Sequence, residues 1–499
     1  MKTKIRSKWL IMSLLLFSNL SFSQQNFSLK EAVDYAVKNH VNIRNAQFDI
    51  LNAEARVNEI KGIGLPQING NFGYTNNIII QKVFIPARTF DPTAPEGAVI
   101  AAEFGVRNAG QAGIGLSQIL FDGSYLLGLK AADVYKELSK KALIQTKQQS
   151  AENVMKAYYS ILVNEERLKL LSLNIGRLDS LLRDTKAMNV QGFVEKIDVQ
   201  RLEVQRSNLS IETQNVNRLQ ELSYYLLKFQ MGKKTTDVVI LTDKLLDINV
   251  NELLPENEVD LKYTNRIEYS ILQTQDRLAQ LDLKNQRSAS LPRVVLTSNF
   301  NYSAGRPQFF DLFSQPWFNA ASAGIVVQIP IFDGFQRKNK VIQSQNNLQK
   351  IKNGYELLEN SIDLQVKQGQ ITLKNAYETL QEQKVNMELA QEIVRVSKIK
   401  YKEGVGSNLE VVTAEISLKE SQTNYFTTFY NALIAKVDLD RALGKLYLEY
   451  GKIVFTVQSG GVPYSTLNFQ IKFKNTLTNP DENKYIHIID LNFYFIRLQ

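Results

Sequence analysis

Two carboxylates, Asp198 and Glu410, hold the positions in this 499-residue chain that best suit a chemical role. Each follows a break in a helical pattern, at Gly192 and at Gly404-Val405-Gly406, and each falls in the first turn of the next helix. The helix dipole favours a carboxylate there whatever its function. The equivalent placement also predicts a ring of carboxylates in an assembly of several copies, which would favour cations at a narrow opening.

Catalysis and metal binding have little support elsewhere in the sequence. The chain has no cysteine, its two histidines, His40 and His487, are far apart, and no nucleophile motif is present. Residues 110–115 have the glycine spacing of a phosphate loop, but they lead into a predicted strand, which has no helix N-terminus to bind phosphate. The sequence predicts no enzyme, no cofactor and no metal site.

Long helices must position the two carboxylates. From Gly334 to Tyr401 no proline occurs, and apolar residues recur in steps of seven with one step of four. Such a seam is typical of a coiled coil, and a helix of this length reaches roughly 100 Å. The seam residues are Val341, Leu348, Tyr355, Ile362, Val366, Leu373, Leu380, Met387, Val394 and Tyr401 in the second half, and Val154, Ile161, Leu168, Ile175 and Leu182 in the first.

Shorter segments have the period of two that is typical of strands. In the first half, Ile68, Phe72 and Tyr74 alternate with polar residues, and a second strand surrounds Ile114 and Leu116. The loop between them, 83–108, is longer than a structural hairpin needs. Ahead of the strands, one helix is predicted from Ser28 to about Gly62, starting with the capping-box pair of Ser28 and Glu31.

The same order of elements occurs twice along the chain. Leu291-Pro292 matches Leu65-Pro66, a second Phe-Asp-Gly turn at 332–334 matches the one at 121–123, and Glu410-Val411 matches Asp198-Val199. This predicts an internal duplication, with repeats at 24–232 and 261–446 joined by a linker at 233–260. Each repeat would contain a helix, two strands and a long helical hairpin.

The two ends of the chain differ from the repeats. Residues 1–23 combine basic residues, an apolar run and a small-x-small site, which predicts a secretory signal peptide. Its removal lowers the formal charge from +9 to about +5, which gives no reason to expect a nucleic acid partner. The tail, 447–499, lacks heptads and alternates like strands; it is either a C-terminal appendage or a frameshifted end.

Four amphipathic strands in one chain cannot close a barrel, and an open sheet edge in lipid leaves backbone groups unsatisfied. No later segment has the eighteen apolar residues of a membrane helix, so entry into a membrane would require strands. Three copies would supply twelve strands, an even number that leaves room for a lumen. The sequence therefore predicts a mainly α protein with a β-barrel part, in which a trimeric membrane pore continues into a helical tunnel.

The chain resembles the TolC family of outer-membrane efflux proteins. The resemblance covers about Phe27 to Leu446 and depends on the duplicated plan, the two Phe-Asp-Gly turns and the hairpin tip Tyr401-Lys402-Glu403-Gly404. It implies a homotrimer whose twelve-stranded barrel contacts outer-membrane lipid. It also implies a periplasmic helical barrel that meets an adaptor protein and an inner-membrane transporter of the RND or ABC type.

The resemblance also implies roles for residues at the hairpin tips. Family members close the periplasmic end with residues that match Asp198, Tyr401 and Glu410, whereas ordinary core packing on the seam is the alternative for Tyr401. Gly406 stands where the best-known member has a gating arginine, and Thr413 where a second acidic residue adds to the pore ring. The tip glycines, Gly192, Gly404 and Gly406, are the candidate contacts for the adaptor.

A different class of protein remains open on the residues alone. A secreted or periplasmic coiled-coil scaffold without a pore would use the same helices. It would not need strands with an apolar face or long loops between them. Extraction separates the two, because a pore requires detergent whereas a scaffold is removed by salt.

Overall fold

A computed structural model describes residues 25–250 and 262–446 of the chain. The predicted signal peptide, the tail at 447–499 and part of the predicted linker lie outside the described residues. The described residues form two compact units. We call them the strand unit, which comprises residues 41–146 and 266–364, and the helical unit, which comprises the described residues among 1–40, 147–265 and 365–499. The predicted repeats follow the chain, whereas each unit takes segments from both of them.

Strands and helices follow one another along both halves of the chain. The first half contains β1 (Gln25–Phe27), α1 (Leu29–Asn39), α2 (Val41–Ile63), β2 (Gln67–Asn76), β3 (Lys82–Pro86), β4 (Val99–Glu103), β5 (Asn108–Phe121), α3 (Gly123–Val190) and α4 (Lys196–Met231). The second half contains β6 (Val239–Leu241), α5 (Ile267–Ser288), β7 (Arg293–Arg306), α6 (Asp311–Ser314), β8 (Phe318–Gln328), α7 (Gln336–Lys402) and α8 (Asn408–Ala442).

The strand unit is built on an antiparallel sheet of four strands in the order β2-β5-β7-β8. These are the four strands that the alternation predicts. The cross-strand register places apolar residues in line on one face, which carries Ile68, Phe72, Ile114, Leu116, Phe300 and Ile325. The opposite face carries Asn69, Asn71, Gln111, Asn299, Asn301 and Ser322. We call these the apolar face and the polar face.

Glycine makes room for the asparagine side chains on the polar face. Asn71, Gly113 and Asn301 are paired across three neighbouring strands. A Cβ atom at Gly113 would lie 1.9 Å from Oδ1 of Asn301 and 3.1 Å from Oδ1 of Asn71. Any larger residue at this position would therefore displace the two amides that make this face polar.

The connection between β2 and β5 differs from the prediction. The loop at 83–108 is not irregular throughout, because β3 and β4 pair as a second small antiparallel sheet within it. In the second half of the chain, β8 ends at Gln328, which pairs with Arg293 at the start of β7. Pro330 has no N–H group to extend the pairing, so the strand stops before it.

In the helical unit, the capping box at the start of α1 is confirmed. The Ser28 hydroxyl accepts a hydrogen bond from the Glu31 N–H group, and the Glu31 carboxylate accepts one from the Ser28 N–H group. The single helix predicted from Ser28 to Gly62 is wrong, because α1 ends at His40, whose backbone is extended at ψ 136°. Gly232, just after α4, packs against this corner, and a Cβ atom there would lie 3.0 Å from Cα of His40.

The predicted coiled-coil helices are present and continuous. Helix α3 has 68 residues and α7 has 67, which gives each a length of about 100 Å at 1.5 Å per residue. Most of the predicted seam is buried within the helical unit, at Val154, Ile161, Leu182, Val366, Leu373, Leu380 and Val394. Among the described residues, no helix has both the length and the apolar character to cross a membrane.

Candidate functional site

The two hairpin tips, at 190–196 and 402–408, end their helices in the same way. Gly192 has φ +81° and Gly404 has φ +74°, the left-handed conformation in which glycine is favoured. The N–H group of Phe193 donates to the Met188 carbonyl, and the N–H group of Val405 donates to the Lys400 carbonyl. Both tips are therefore Schellman motifs, which satisfy the last carbonyl groups of α3 and α7.

Gly406 has a steric role in the second tip. A Cβ atom at this position would lie 2.9 Å from Cβ of Lys400 and 3.1 Å from the backbone nitrogen of Tyr401. The turn therefore has no room for an arginine at the position where the best-known family member has its gating residue. With glycine in place of arginine, the tip packs tightly against the end of α7.

Asp198 and Glu410 each lie in the first turn of a helix, as predicted. The Asp198 carboxylate is 3.3 Å from the Arg201 guanidinium and is 21% exposed, whereas Glu410 is exposed and its N–H group donates to the Ser407 hydroxyl. The buried Asn408 side chain donates to the Asp198 carbonyl at 3.4 Å. This bond holds the first turns of α4 and α8 side by side.

Tyr401 lies in the core between the hairpins. It is 9% exposed and contributes to a cluster that includes Leu178, Leu202 and Val411. Its hydroxyl lies 3.5 Å from the hydroxyl of the fully buried Thr185 on α3. Tyr401 thus connects α7 to the first hairpin through packing and through a weak polar contact.

Thr413 is exposed on α8, one turn after Glu410 and on the same side of the helix. Ser417 and Glu420 continue this exposed polar stripe. Thr413 therefore adds an uncharged hydroxyl to this stripe, one helical turn from Glu410.

Sequence reasoning missed a buried polar cluster farther along the same helices. Glu415 of α8 has a side chain that is 2% exposed, and its carboxylate oxygens lie 2.6 Å from Nζ of Lys398 and 3.9 Å from the Arg177 guanidinium. The Arg177 side chain also donates to Asn174, whose amide donates to Gln422 at 2.6 Å. We call these five residues the inter-hairpin cluster, since they connect α3 with α7 and α8.

One signal in the sequence could have revealed this cluster. Asn408, Glu415 and Gln422 are spaced by seven residues, so they form a polar seam on α8 next to the apolar one, and all three are buried. Polar residues at heptad positions mark places where helices select a particular partner and register. Among the described residues, no group of three or more histidine, cysteine or acidic side chains is arranged to hold a metal ion.

A family model described as outer membrane efflux protein matches residues 271–445. The chain carries an outer membrane efflux protein domain. This domain includes Glu410, Tyr401 and the whole second hairpin, and its family assigns it to the outer membrane. The resemblance to the TolC family is confirmed, and the family is one of transport proteins, in agreement with the prediction that the chain is not an enzyme.

Known proteins extend the similarity to most of the chain. Nodulation protein T of Rhizobium leguminosarum bv. trifolii is 22% identical over 333 residues, which are 62% of this chain and 66% of that protein. A membrane protein from Pseudomonas aeruginosa has a crystal structure with a TM-score of 0.66 and 18% identity, covering 83% of this chain and 92% of that one. The Campylobacter jejuni CmeC outer membrane channel gives 0.65 and 15%, covering 85% and 86%. At these identities, the structures show that the fold is that of TolC-like channels.

Proposed function

We propose that the protein is the exit duct of a tripartite efflux pump or type I secretion system. It would pass substrates from an inner-membrane transporter of the RND or ABC type, through a periplasmic adaptor, to the outside of the cell. The observation that carries the proposal is the two-faced sheet, whose two edges no described residue pairs, in a chain that has an efflux-protein domain.

The sheet has the features expected of one third of a membrane barrel. In the part of the chain that the structure describes, its outer strands, β2 and β8, each have one edge without a partner strand. Backbone groups left unpaired in lipid cost several kcal/mol each, so the edges must pair with other copies. Three copies give twelve strands, with the apolar face towards lipid and the Asn-rich polar face towards the lumen.

The helices have seams that suit the same assembly. Helix α4 exposes Ile197, Val204 and Ile211 in steps of seven, and α7 exposes Ile371, Val385 and Ile399 in steps of fourteen. Each row lies apart from the buried seam of its own helix and would pack as a second coiled-coil seam. The matching helices of neighbouring copies would cover these rows in a homotrimeric helical barrel.

The hairpin tips are the proposed contact with the adaptor. Gly192 and Gly404 are each followed by an exposed apolar side chain, Phe193 at 76% and Val405 at 79%. The Schellman motifs of Gly192 and Gly404 and the tight turn at Gly406 fix the direction in which these side chains point. A rigid apolar tip is suited to insertion into a complementary protein surface.

The proposal is tested by measuring mass and conductance on the same preparation. We expect the detergent-solubilised protein to have the mass of a trimer by light scattering. It should also form ion-conducting pores in planar bilayers. A monomeric mass with strand content retained by circular dichroism, or release from membranes by salt alone, would favour the coiled-coil scaffold.

A further inference from the structure

The two outer strands of the sheet, β2 and β8, are its least covered elements. All ten residues of β2 and all eleven of β8 are exposed, whereas β5 and β7 between them are partly buried. Among the described residues, no side-chain atom lies within 4 Å of a Cβ atom added at Gly70, Gly73 or Gly324 on these strands. Inside the sheet, by contrast, the Asn301 amide fills the space next to Gly113. The edge glycines are therefore open positions that side chains of a further strand could cover.

The direction of the strands decides which edges of two copies can meet. Strand β2 runs towards the loop at 77–107, and β8 runs away from the connection at 307–317, so β2 of one copy is antiparallel to β8 of an upright neighbour. Helices α3 and α7 then leave the same end of the sheet in both copies. Pairing two β2 strands would either turn one copy over or exchange its apolar and polar faces.

The two faces of the sheet restrict the register of this pairing. Even-numbered residues of β2, such as Ile68 and Phe72, lie on the apolar face, and so do odd-numbered residues of β8, such as Ile325. An apolar face that continues from one copy to the next requires an even-numbered residue of β2 opposite an odd-numbered residue of β8. A slip of one residue would exchange the faces, so the allowed registers differ by steps of two.

One allowed register pairs the whole of β2. When Gln67 lies opposite Gln328 of the neighbouring copy, the ten residues of β2 lie opposite the ten residues 319–328 of β8. A shift by two residues in either direction leaves residues at one end of β2 without a partner in β8. Since unpaired backbone groups in lipid are costly, the complete pairing is favoured.

The same register sets large side chains opposite small ones on the apolar face. Phe72 lies opposite Ala323 of the neighbouring copy, Tyr74 opposite Ala321, and Gly70 opposite Ile325. A shift by two would instead place Ile325 opposite Phe72 or opposite Ile68. Side chains directly opposite each other on neighbouring strands are in contact, so alternation of large and small residues fills the surface without crowding.

The polar face fits this register in a similar way. Asn71 lies opposite Gly324 of the neighbouring copy, one of the open glycines of the sheet edges. Asn301 lies opposite Gly113 within one copy and covers it with its amide. The contact between copies would therefore repeat a pairing of asparagine with glycine that the sheet already contains.

The tilt of the strands supports the register independently. Within one copy, a line across the strands joins Asn71 through Gly113 and Asn301 to Ala320. In the inferred register Ala320 lies opposite Thr75 of the next copy, so the line advances from residue 71 to residue 75, four residues for every four strands. At about 3.4 Å per residue and about 4.8 Å per strand, the tilt is about 35°, within the range of about 35–45° that is typical of barrels. Advances of two or six residues give about 20° and about 47°.

We propose that β2 of each copy pairs with β8 of the next in this one register, with Phe72 opposite Ala323. We call this contact the strand junction. The partner that completes each edge is thus a second copy of the chain, and three identical junctions close the ring. The inference rests on the proposed trimeric barrel and specifies how its copies join.

Disulfide cross-linking between paired cysteines tests the register. The chain has no cysteine, so each double variant contains only the introduced pair. Phe72→Cys is combined with Ala321→Cys, Ala323→Cys or Ile325→Cys, which stand for three successive allowed registers. Phe72 and Ala323 of one copy are on opposite edges of the sheet, about 14 Å apart at three strand spacings, so a disulfide forms only between copies. The full-length proteins are oxidised in isolated membranes and separated on denaturing gels without reductant, with each single cysteine variant as a control.

We expect covalent dimers and trimers from Phe72→Cys with Ala323→Cys, at roughly ten times the yield of the other two pairs. Directly opposite residues lie within the Cα separation of about 4.4–6.8 Å that a disulfide needs, whereas diagonal neighbours are about 7–8 Å apart. Tyr74→Cys with Ala321→Cys belongs to the same register and should cross-link equally well. This pair decides the result if circular dichroism shows that the first pair has not folded.

The other outcomes separate the junction from the trimer. A higher yield from Phe72→Cys with Ala321→Cys or with Ile325→Cys would overturn the register and retain the trimer. No cross-link from any pair, in protein with the mass of a trimer in detergent, would show that other edges meet and would overturn the junction. A monomeric mass without cross-links would overturn the junction and the proposed trimeric duct together.

Discussion

Lys398 places its ammonium group 2.6 Å from the carboxylate of Glu415, a side chain that is only 2% exposed. Lys398 belongs to the second hairpin, whereas Arg177, which approaches the other carboxylate oxygen, belongs to the first. One buried anion is thus balanced by cations from both hairpins. A shift of one hairpin along the other would separate Glu415 from Arg177, so this contact selects a single alignment.

Replacing Glu415 with Gln should destabilise the helical unit. Removing one partner of a buried pair costs about 3–5 kcal/mol when the other charge stays buried. Because Lys398 and Arg177 are 21% and 33% exposed and can regain water, we expect about 2 kcal/mol for Glu415→Gln. The thermal midpoint in detergent measures the effect. Glu420→Gln, on the exposed stripe of the same helix, is the matched control, and equal midpoints for the two variants would contradict the prediction.

Replacing Gly404 with Ala should destabilise the second hairpin tip by about 1 kcal/mol, since a side chain is strained in the left-handed conformation. No atom lies within 4 Å of an added Cβ at Gly404, so the effect would be conformational and not steric. Gly176→Ala is the control, because Gly176 lies within α3 with equally open surroundings. That change should raise stability by about 0.5–1 kcal/mol. Thermal unfolding that shifts in the same direction for both variants would argue against the strained turn.

Local patterns explain what could be predicted from the sequence. Ser28 with Glu31, the tip glycines and the heptads of α3 and α7 are defined by neighbours within one or two helical turns, so a single sequence contains the whole signal. The end of α1 at His40 could not be predicted in this way. It coincides with the packing of Gly232, which reaches this corner only after α4 has returned along α3.

The candidate site also combines local features that the sequence predicts with contacts between distant residues that it does not. The first-turn positions of Asp198 and Glu410 follow from the helix breaks, and the structure shows both. Their neighbours are not local: Asn408 meets the backbone of Asp198, and Glu415 meets Arg177, only because two hairpins lie together. A heptad shows that a residue faces another helix, but it does not identify which helix, so Glu415 could not be matched with its partners.

The loops that join β2 to β5 and β7 to β8 should face the outside of the cell. Helix α3 begins two residues after β5 ends, whereas the loops at 77–107 and 307–317 join the opposite ends of the strands. Thr93 and Gln308 are exposed in these loops.

Because the chain has no cysteine, Thr93→Cys and Gln308→Cys each introduce a single reactive thiol. Both should react with a membrane-impermeant reagent on intact cells, and Ser417→Cys on α8 should not. Labelling of Ser417→Cys alone would reverse the orientation.

Acid should weaken the strand unit through Glu137. Hydrogen bonds from Arg277 and then from Lys141 hold the pKa of the Glu137 carboxyl below its usual value of 4.5. A carboxyl with a lowered pKa stabilises the fold above pH 4.5, and this contribution is lost as the pH falls through the lowered value. Because Glu137 and Arg277 are 39% and 48% exposed, we expect Glu137→Gln to cost less than about 1 kcal/mol at neutral pH.

Thermal midpoints across the acid range test this linkage. The difference between wild type and Glu137→Gln should disappear below the lowered pKa. Glu382→Gln, at an exposed position on α7, is the control and should differ from wild type by a small and constant amount. A difference for Glu137→Gln that persists unchanged in acid would exclude a role for its charge.

The last prediction concerns the opening formed by the hairpin tips. In the proposed trimer, Asp198 and Glu410 supply six carboxylates at one level, since Asn408 holds their helices side by side. Fields from exposed charges are screened over about 8 Å at physiological salt, so a narrow opening would experience their sum. Arg201 already offsets part of the Asp198 charge at 3.3 Å, which leaves Glu410 as the stronger attractor of cations.

Asp198→Asn with Glu410→Gln should therefore lower cation selectivity in planar bilayers and weaken block by trivalent cations, mostly through Glu410. The charge-conserving pair Asp198→Glu with Glu410→Asp should retain both properties. If selectivity and block were the same in all three proteins, the two carboxylates would serve only to stabilise the first turns of their helices, where the dipole favours them without any pore.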